Sequence, residues 1–151
     1  MCNGGISWNT RQIHALQIIP VKILSPFYPA KLRFREAAVI GSDTVVELDG
    51  EILGKPRSRE EAVSMLRRLS GREHRVHTAV QILSPAGSRS LVSTAEVHFA
   101  PMTDREIEWY VSTGEPMDKA GAYGIQGYAC RYITGIRGDY YTVMGLPVQM
   151  L

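Results

Sequence analysis

The amino-acid sequence predicts an α/β protein in which helices flank a mixed, twisted β-sheet. Short apolar or alternating runs typical of strands recur between residues 37 and 136, and two helix-start signals stand among them. A turn signal between two of the runs predicts at least one antiparallel hairpin. The 151 residues have the length of one domain that can bury a core.

The first clear strand signal is the apolar run of residues 37–41 (AAVIG), which we expect to be buried on both faces of the sheet. Ser42, Asp43 and Thr44 follow at its end. Residues 45–48 continue extended to a turn at Asp49-Gly50, a pair typical of tight hairpins.

Two helices are predicted from their N-terminal signals. Residues 58–61 (SREE) form a capping box, and the helix that they open carries its apolar residues on one side and ends near Gly71. Residues 103–106 (TDRE) form a second capping box, whose helix we expect to stop at Gly114.

The remaining strands are predicted from alternation and turns. Residues 76–82 alternate as a half-buried strand does, residues 84–87 (SPAG) make a turn, and residues 91–99 read as the returning strand of a hairpin. A glycine-punctuated segment, residues 121–127, leads into a last strand from about residue 128 to residue 136.

Composition excludes several classes of protein. Hydrophobic residues make up 44% and charged residues 21%, which argues against a disordered chain, and no apolar run approaches the ~20 residues of a membrane helix. A net charge of +2 gives no electrostatic footprint for a nucleic-acid polymer. Cys2 and Cys130 are too few for a disulfide scaffold, which fits the reducing cytoplasm.

Several motifs are rejected on spacing. Residues 50–55 imitate a phosphate-binding loop, but only three residues separate the glycines, and Pro56 stands where Ser or Thr must hold the metal. The glycines of residues 121–127 lack the dinucleotide-binding pattern. His74 and His77 lie on opposite faces of the predicted strand, so they cannot chelate one ion. No Ser-His-Asp or Cys-His arrangement offers a covalent nucleophile.

Three features remain as candidates for a site. Asp43 follows the predicted buried strand, where a carboxylate can hold a metal or take a proton from water, or simply cap a turn. Lys55 suits a phosphate, or is a solvated loop lysine. Residues 115–121 (EPMDKAG) place an acid and Lys119 beside glycines, or form an ordinary loop with an ion pair. Together these features suit metal-assisted attack of water on a phosphate ester or anhydride.

Longer blocks of the sequence carry a family resemblance. Residues 41–46 (GSDTVV), 54–56 (GKP) and 69–74 (LSGREH), then 114–127 (GEPMDKAGAYGIQG), resemble the Maf family of nucleoside triphosphate pyrophosphatases, and residues 138–148 look like its last signature. The resemblance implies the elongated fold shared with inosine triphosphate pyrophosphatase. It also implies a cytoplasmic enzyme, often a homodimer, that uses Mg²⁺ or Mn²⁺ to cleave a nucleoside triphosphate to the monophosphate and pyrophosphate.

The resemblance assigns roles to individual residues. Asp43 matches the family's catalytic acid, the proton acceptor for water, and is also the expected metal ligand. Thr44 and Gln126 match positions linked to substrate choice, and Lys55 matches a phosphate-side lysine. The block from residue 120 to residue 127 is similar to the branch that acts on dTTP and UTP, with modified nucleotides as further candidate substrates.

The N-terminal part departs from the family pattern. Family members begin with a strand and a Ser-x-Ser-Pro-Arg-Arg loop that holds the triphosphate, and residues 1–38 contain no match to that loop. Residues 18–24 could form a strand, which Pro20 would confine to a sheet edge or a bend. We therefore expect an atypical, replaced or truncated N-terminal segment at residues 1–38 and a Maf-like domain at residues 39–151. Loss of the arginine loop leaves an alternative, a catalytically impaired remnant that binds nucleotides or another protein.

Overall fold

One antiparallel sheet organises residues 37–151, which are the part of the chain described by this computed structural model. Its strands and helices, in chain order, are β1 (Val39–Leu48), β2 (Glu51–Leu53), α1 (Arg59–Leu69), β3 (Glu73–Ser84), β4 (Gly87–Phe99), α2 (Asp104–Ser112), β5 (Ile133–Arg137) and α3 (Tyr140–Met144). Short 3₁₀ helices at Glu115–Asp118, Ala120–Ala122, Tyr128–Tyr132 and Val148–Met150 complete the described elements.

The strand order across the sheet is β2-β1-β3-β4-β5. The three-residue β2 pairs with the end of β1, and the long β3 and β4 form the hairpin predicted from the sequence. The α/β class with helices flanking a sheet is confirmed. All four pairings within residues 37–151 are antiparallel, so the described part contains no parallel pair that would make the sheet mixed.

The first strand differs from its prediction in two respects. It runs without interruption from Val39 to Leu48, so Asp43 and Thr44 lie in the middle of the strand instead of following its end. The expectation that residues 37–41 are buried on both faces is also wrong, since Ile40 is 47% exposed. An apolar run this short does not distinguish a central strand from one near the edge of a sheet.

Both predicted helices are confirmed, and their caps explain where they begin. The Ser58 hydroxyl accepts the Glu61 amide at the start of α1, while the Glu61 carboxylate accepts the Arg57 amide. At the start of α2, Thr103 and Glu106 form the complete capping box, in which each side chain accepts the other residue's amide. Each helix ends two residues before the glycine predicted to stop it.

The last predicted strand begins later than the sequence indicated. Residues Tyr128–Tyr132 form a 3₁₀ helix, and only Ile133–Arg137 pair with β4. The aromatic residues of this segment explain the error, because a high β-propensity mostly reports a side chain that suits a half-buried surface. Here Tyr132 belongs to a 3₁₀ helix, and its side chain is buried in the core.

The main core lies between one face of the sheet and the two longer helices. The largest fully buried side chains of this cluster are Leu48, Leu66, Leu69, Val76, Val97, Ile107, Tyr110 and Val111. The apolar faces of α1 and α2 pack on this core. Other segments therefore cover the far end of the sheet, near Thr44 and Thr78.

Two histidines of β3 point to opposite faces, as predicted. His77 accepts or donates a 2.9 Å hydrogen bond with Thr94 on the face away from the helices. His74 enters the core, where its Nε2 lies 2.7 Å from the Tyr123 hydroxyl and its ring packs edge-on against Phe99. Burial, with a smaller contribution from His98, lowers the pKa of His74 to about 4.

No helix of the described residues is long and apolar enough to cross a membrane. The expected strand at residues 18–24, the unmatched arginine loop and nearly all of the predicted atypical segment lie outside residues 37–151.

We predict that the buried His74 makes the protein less stable in mild acid. Its folded pKa of about 4 lies below the ordinary value of 6.5, so the unfolded chain binds more protons between these pH values and stability falls as the pH is lowered. The loss attributable to His74 approaches roughly 3 kcal/mol near pH 4. Urea denaturation of the wild type and of His74→Phe across pH 4–7 measures it. A stability difference between the two proteins that does not change with pH would contradict the prediction.

Candidate functional site

The far end of the sheet forms the floor of a cavity of about 540 Å³. The loop of residues 115–127 and the segment that carries Lys55 form its walls, and α3 with the glycine after it closes one side. The lining side chains and glycines are Ser42, Asp43, Thr44, Val46, Lys55, Val76, Glu115, Asp118, Lys119, Ala120, Tyr123, Gly124, Ile125, Gln126, Gly127, Val143, Met144 and Gly145.

All five residues selected from the sequence line this cavity: Asp43, Thr44, Lys55, Lys119 and Gln126. They come from β1, from the loop after β2 and from the glycine-rich loop, separated by as many as 83 residues along the chain. The fold therefore brings them together, while the role of each residue stays a prediction.

A close backbone contact joins the walls of the cavity. The Gly121 amide donates to the Gly54 carbonyl at 3.0 Å, which ties the glycine-rich loop to the segment that carries Lys55. Gly121 has a φ of +66° and lies so near Val46 that an added Cβ would be 2.8 Å from a methyl carbon. Only glycine combines this left-handed conformation with so close an approach.

Asp43 presents one free carboxylate oxygen. Its Oδ1 accepts the Thr44 amide at 3.0 Å, and its Oδ2 has no hydrogen-bond partner among residues 37–151. The side chain is half-buried at the mouth of the cavity. A carboxylate fixed through one oxygen and free at the other can accept a proton or coordinate a cation.

Three charged residues that line the cavity, Lys55, Asp118 and Lys119, form what we call the cationic wall. Lys119 Nζ is 2.7 Å from Asp118 Oδ1, so the ion pair expected from the sequence is present. The hydrogen bond from Lys119, with smaller contributions that include the charge of Lys55, lowers the pKa of the Asp118 carboxyl. The two lysines and one aspartate leave this wall with one net positive charge, suited to an anionic ligand.

Glu115 lines the cavity and was not singled out from the sequence. Its Oε1 accepts the Tyr110 hydroxyl at 2.7 Å and its Oε2 accepts the Tyr128 amide at 2.9 Å. The Gly124 amide in turn donates to the Tyr110 oxygen. Burial, and the hydrogen bond to Glu115, raise the pKa of Tyr110, so this phenol stays protonated and donating. Glu115 thereby holds both ends of the turn that carries Gln126.

The loop passes so close to Glu115 that a side chain at Gly127 would have to displace the Glu115 carboxylate. A Cβ at that position would lie 2.2 Å from the carboxylate. The sequence signal for this arrangement was present in the repeated glycines of residues 121–127, but glycine spacing alone does not say which side chain occupies the space.

Thr78 is a second residue that the sequence reasoning passed over, because it fitted the strand alternation. It is fully buried under the cavity floor, and its hydroxyl oxygen lies 2.8 Å from that of Thr44 and 2.6 Å from the Thr142 carbonyl oxygen. It therefore links β1 to α3 directly beneath a residue predicted to contact substrate.

The carboxylates of the cavity differ in whether they can hold a divalent cation. Both oxygens of Glu115 are engaged, and Asp118 is paired with Lys119, so that among residues 37–151 the carboxylate left to bind a cation in this cavity is that of Asp43. No cluster of three or more protein ligands occurs in residues 37–151. One carboxylate nevertheless fits Mg²⁺, which proteins commonly hold through one or two carboxylates together with substrate phosphates and water.

This combination of features defines a class of site. In this α/β fold, the antiparallel sheet supports a cavity that, among the described residues, has one carboxylate oxygen without a partner, a cationic wall and an apolar floor. Such a cavity suits a ligand with an anionic end and a planar or apolar end. The description of the Maf-like protein family matches residues 19–151, and the chain belongs to this family. The matched region begins before the domain boundary at residue 39 that the sequence suggested.

Three relatives of this chain are dTTP/UTP pyrophosphatases from different bacteria. The chain is 56% identical over 126 residues to the dTTP/UTP pyrophosphatase of Symbiobacterium thermophilum, with 80% of this chain and 64% of the relative aligned. It is 55% identical over 113 residues to the dTTP/UTP pyrophosphatase of Bacillus velezensis (75% and 60%). A more distant relative of the same name, from Dictyoglomus turgidum, is 41% identical over 145 residues (95% and 75%). The chain thus spans less than two thirds of the length of the first two relatives.

We predict that Gly121→Ala separates the walls of the cavity. The added methyl group would clash with Val46 and favour a negative φ, so we expect a loss of stability of about 2 kcal/mol or more. Gly54→Ala is the matched control, because a Cβ there meets nothing within 4 Å and the backbone is not left-handed. Thermal or urea denaturation of the two variants makes the comparison, and equal stabilities would contradict the prediction.

Proposed function

We propose that this chain hydrolyses a nucleoside triphosphate of the dTTP or UTP type to the monophosphate and pyrophosphate. The observation that carries the proposal is that one cavity holds Asp43, Lys55 and Gln126, whose roles were assigned from separate sequence blocks. The relatives are named for the same activity, which supports the proposal. The activity remains a proposal for this chain because the chain spans only part of the relatives' length. Modified nucleotides are further candidate substrates.

The proposed reaction is an attack of water on the α-phosphorus. Asp43 Oδ2 accepts one proton of the water as its oxygen bonds to phosphorus, and the bond from that phosphorus to the oxygen bridging the α- and β-phosphates breaks. Pyrophosphate leaves with that oxygen and the nucleoside monophosphate remains. Asp43 suits the base role because its other oxygen is fixed by the Thr44 amide, which orients the free one.

Lys55 and Lys119 act on the charge that accumulates on the leaving pyrophosphate. Positive groups placed beside a transferring phosphoryl group stabilise its transition state without being consumed. The Asp118 partner of Lys119 limits this effect until the ligand's phosphates displace it. A divalent cation held by Asp43 and the phosphates, when bound, would neutralise further charge.

Several accompanying proposals follow the family resemblance. We infer that residues 39–151 contain the reacting groups, that the protein works in the cytoplasm, and that it forms a homodimer.

We predict that Asp43→Asn abolishes turnover while leaving binding largely intact. Asparagine keeps an oxygen for the Thr44 amide but cannot accept the water proton at neutral pH, so we expect pyrophosphate release to fall by about 10²-fold or more. The measurement is pyrophosphate release from dTTP and UTP with Mg²⁺ or Mn²⁺. Circular dichroism and UMP binding serve as controls for folding and for the pocket.

A wild-type rate no higher than that of Asp43→Asn would overturn the proposed function. It would favour the alternative of a nucleotide-binding or protein-binding remnant, provided that UMP or a partner still binds.

We predict opposite effects for two charge changes on the cationic wall. Lys55→Met removes a positive charge and should weaken pyrophosphate binding, while Asp118→Asn releases Lys119 from its ion pair and should strengthen it. Each shift is expected to be about three- to tenfold at low salt and smaller at high salt. Calorimetric titration with pyrophosphate measures both, and shifts in the same direction would contradict the prediction.

A further inference from the structure

The hydroxyl groups beneath the cavity have a fixed direction of donation. Thr78 has one hydroxyl proton, and its oxygen is 2.6 Å from the Thr142 carbonyl oxygen, which can only accept. Two oxygens at that distance without a proton between them would repel each other, so the Thr78 proton lies on this contact. In the 2.8 Å contact between Thr44 and Thr78, the Thr44 hydroxyl must therefore be the donor.

Thr142, at the other end of this series of hydrogen bonds, is also fixed in position. The Thr142 hydroxyl and amide both donate to Asp139 Oδ2, at 3.0 Å, and the Ser93 hydroxyl then donates to Thr142. Asp139 also caps the start of α3 by accepting the Tyr141 amide. The Thr142 carbonyl is thus presented to Thr78 by a capped helix, and both threonines are completely buried.

Thr44 lines the cavity, and its hydroxyl consequently has only lone pairs to offer a ligand there. Its single proton points down to Thr78, so it can accept a hydrogen bond from a ligand but cannot donate one. Around it the floor is apolar, with Val46, Val76 and Val143 lining the same cavity, whereas the charged groups Lys55, Asp118 and Lys119 cluster together. The apolar floor suits a nucleobase better than it suits phosphate.

We propose that Thr78 is a positioning residue that makes Thr44 an acceptor-only contact, and that Thr44 contacts N3 of the base, where this polarity selects bases with a proton on N3 over bases with a lone pair there. Uracil and thymine carry the N3 proton; cytosine has an unprotonated N3. Thr44 accepts the N3 proton of the former and repels the N3 lone pair of the latter. This inference rests on the proposed function for its substrate class, but the hydrogen-bond directions are independent of any reaction.

The test compares UTP with CTP in the wild type, Thr78→Val and Thr78→Ser. Valine keeps the shape of threonine but removes the acceptor for Thr44, so the Thr44 proton can turn into the cavity and donate to N3 of cytosine. We expect the wild-type preference for UTP in kcat/KM to fall about tenfold in Thr78→Val, mainly through KM. Serine keeps the hydroxyl and should retain the preference, whereas loss of a purely structural role in Thr78→Val would lower UTP and CTP turnover equally.

Binding of UMP and CMP, followed by calorimetry, separates this inference from the proposed function. If the protein releases no pyrophosphate but Thr78→Val erases a preference for UMP over CMP, the proposed function fails and the inference stands. If UTP is hydrolysed and Thr78→Val lowers UTP and CTP turnover equally, the inference is overturned and the function stands. If Thr78→Val does not fold, binding of 3-methyl-UMP, which lacks the N3 proton, to the wild type replaces this test. Binding of 3-methyl-UMP as tight as that of UMP overturns the inference, and so does a failure of the wild type to bind UMP.

Discussion

The contact of Gly121 with Val46 is the constraint on which the cavity depends. The glycine-rich loop crosses β1 at a distance that no side chain would allow, and its amide is bonded to Gly54. This single crossing holds the loop that carries Lys119 and Gln126 against the strand that carries Asp43 and Thr44. Without this contact, the sheet and the loop could each form, but their side chains would not line a common pocket.

Much of this arrangement could be predicted from the sequence. Capping signals located both helices because they act within one turn of chain, and the β3–β4 hairpin followed from alternation and a turn. The five candidate residues were selected from separate sequence blocks, and all of them line one cavity, while their roles stay predictions. Local patterns and extended motifs are thus legible in one sequence when each depends on few distant contacts.

The parts that the sequence did not give depend on distant contacts. Asp43 lies in mid-strand because pairing with β3 continues past it, and nothing in the residues before it signals that continuation. Tyr132 was assigned to a strand although tertiary packing buries it from a 3₁₀ turn. Thr78 looked like an ordinary strand residue, since its meaning comes from Thr142, 64 residues away.

The carboxylate of Glu115 makes the end of α2 and the glycine-rich loop into one mechanical unit. Its two oxygens hold a helix side chain and a loop amide at once, so neither can move away without breaking a shared set of bonds. Local unfolding events in proteins usually involve such contiguous units. The Tyr128 amide proton should therefore exchange with solvent at the rate at which the whole mouth of the cavity opens, and one resonance could report on access to the pocket.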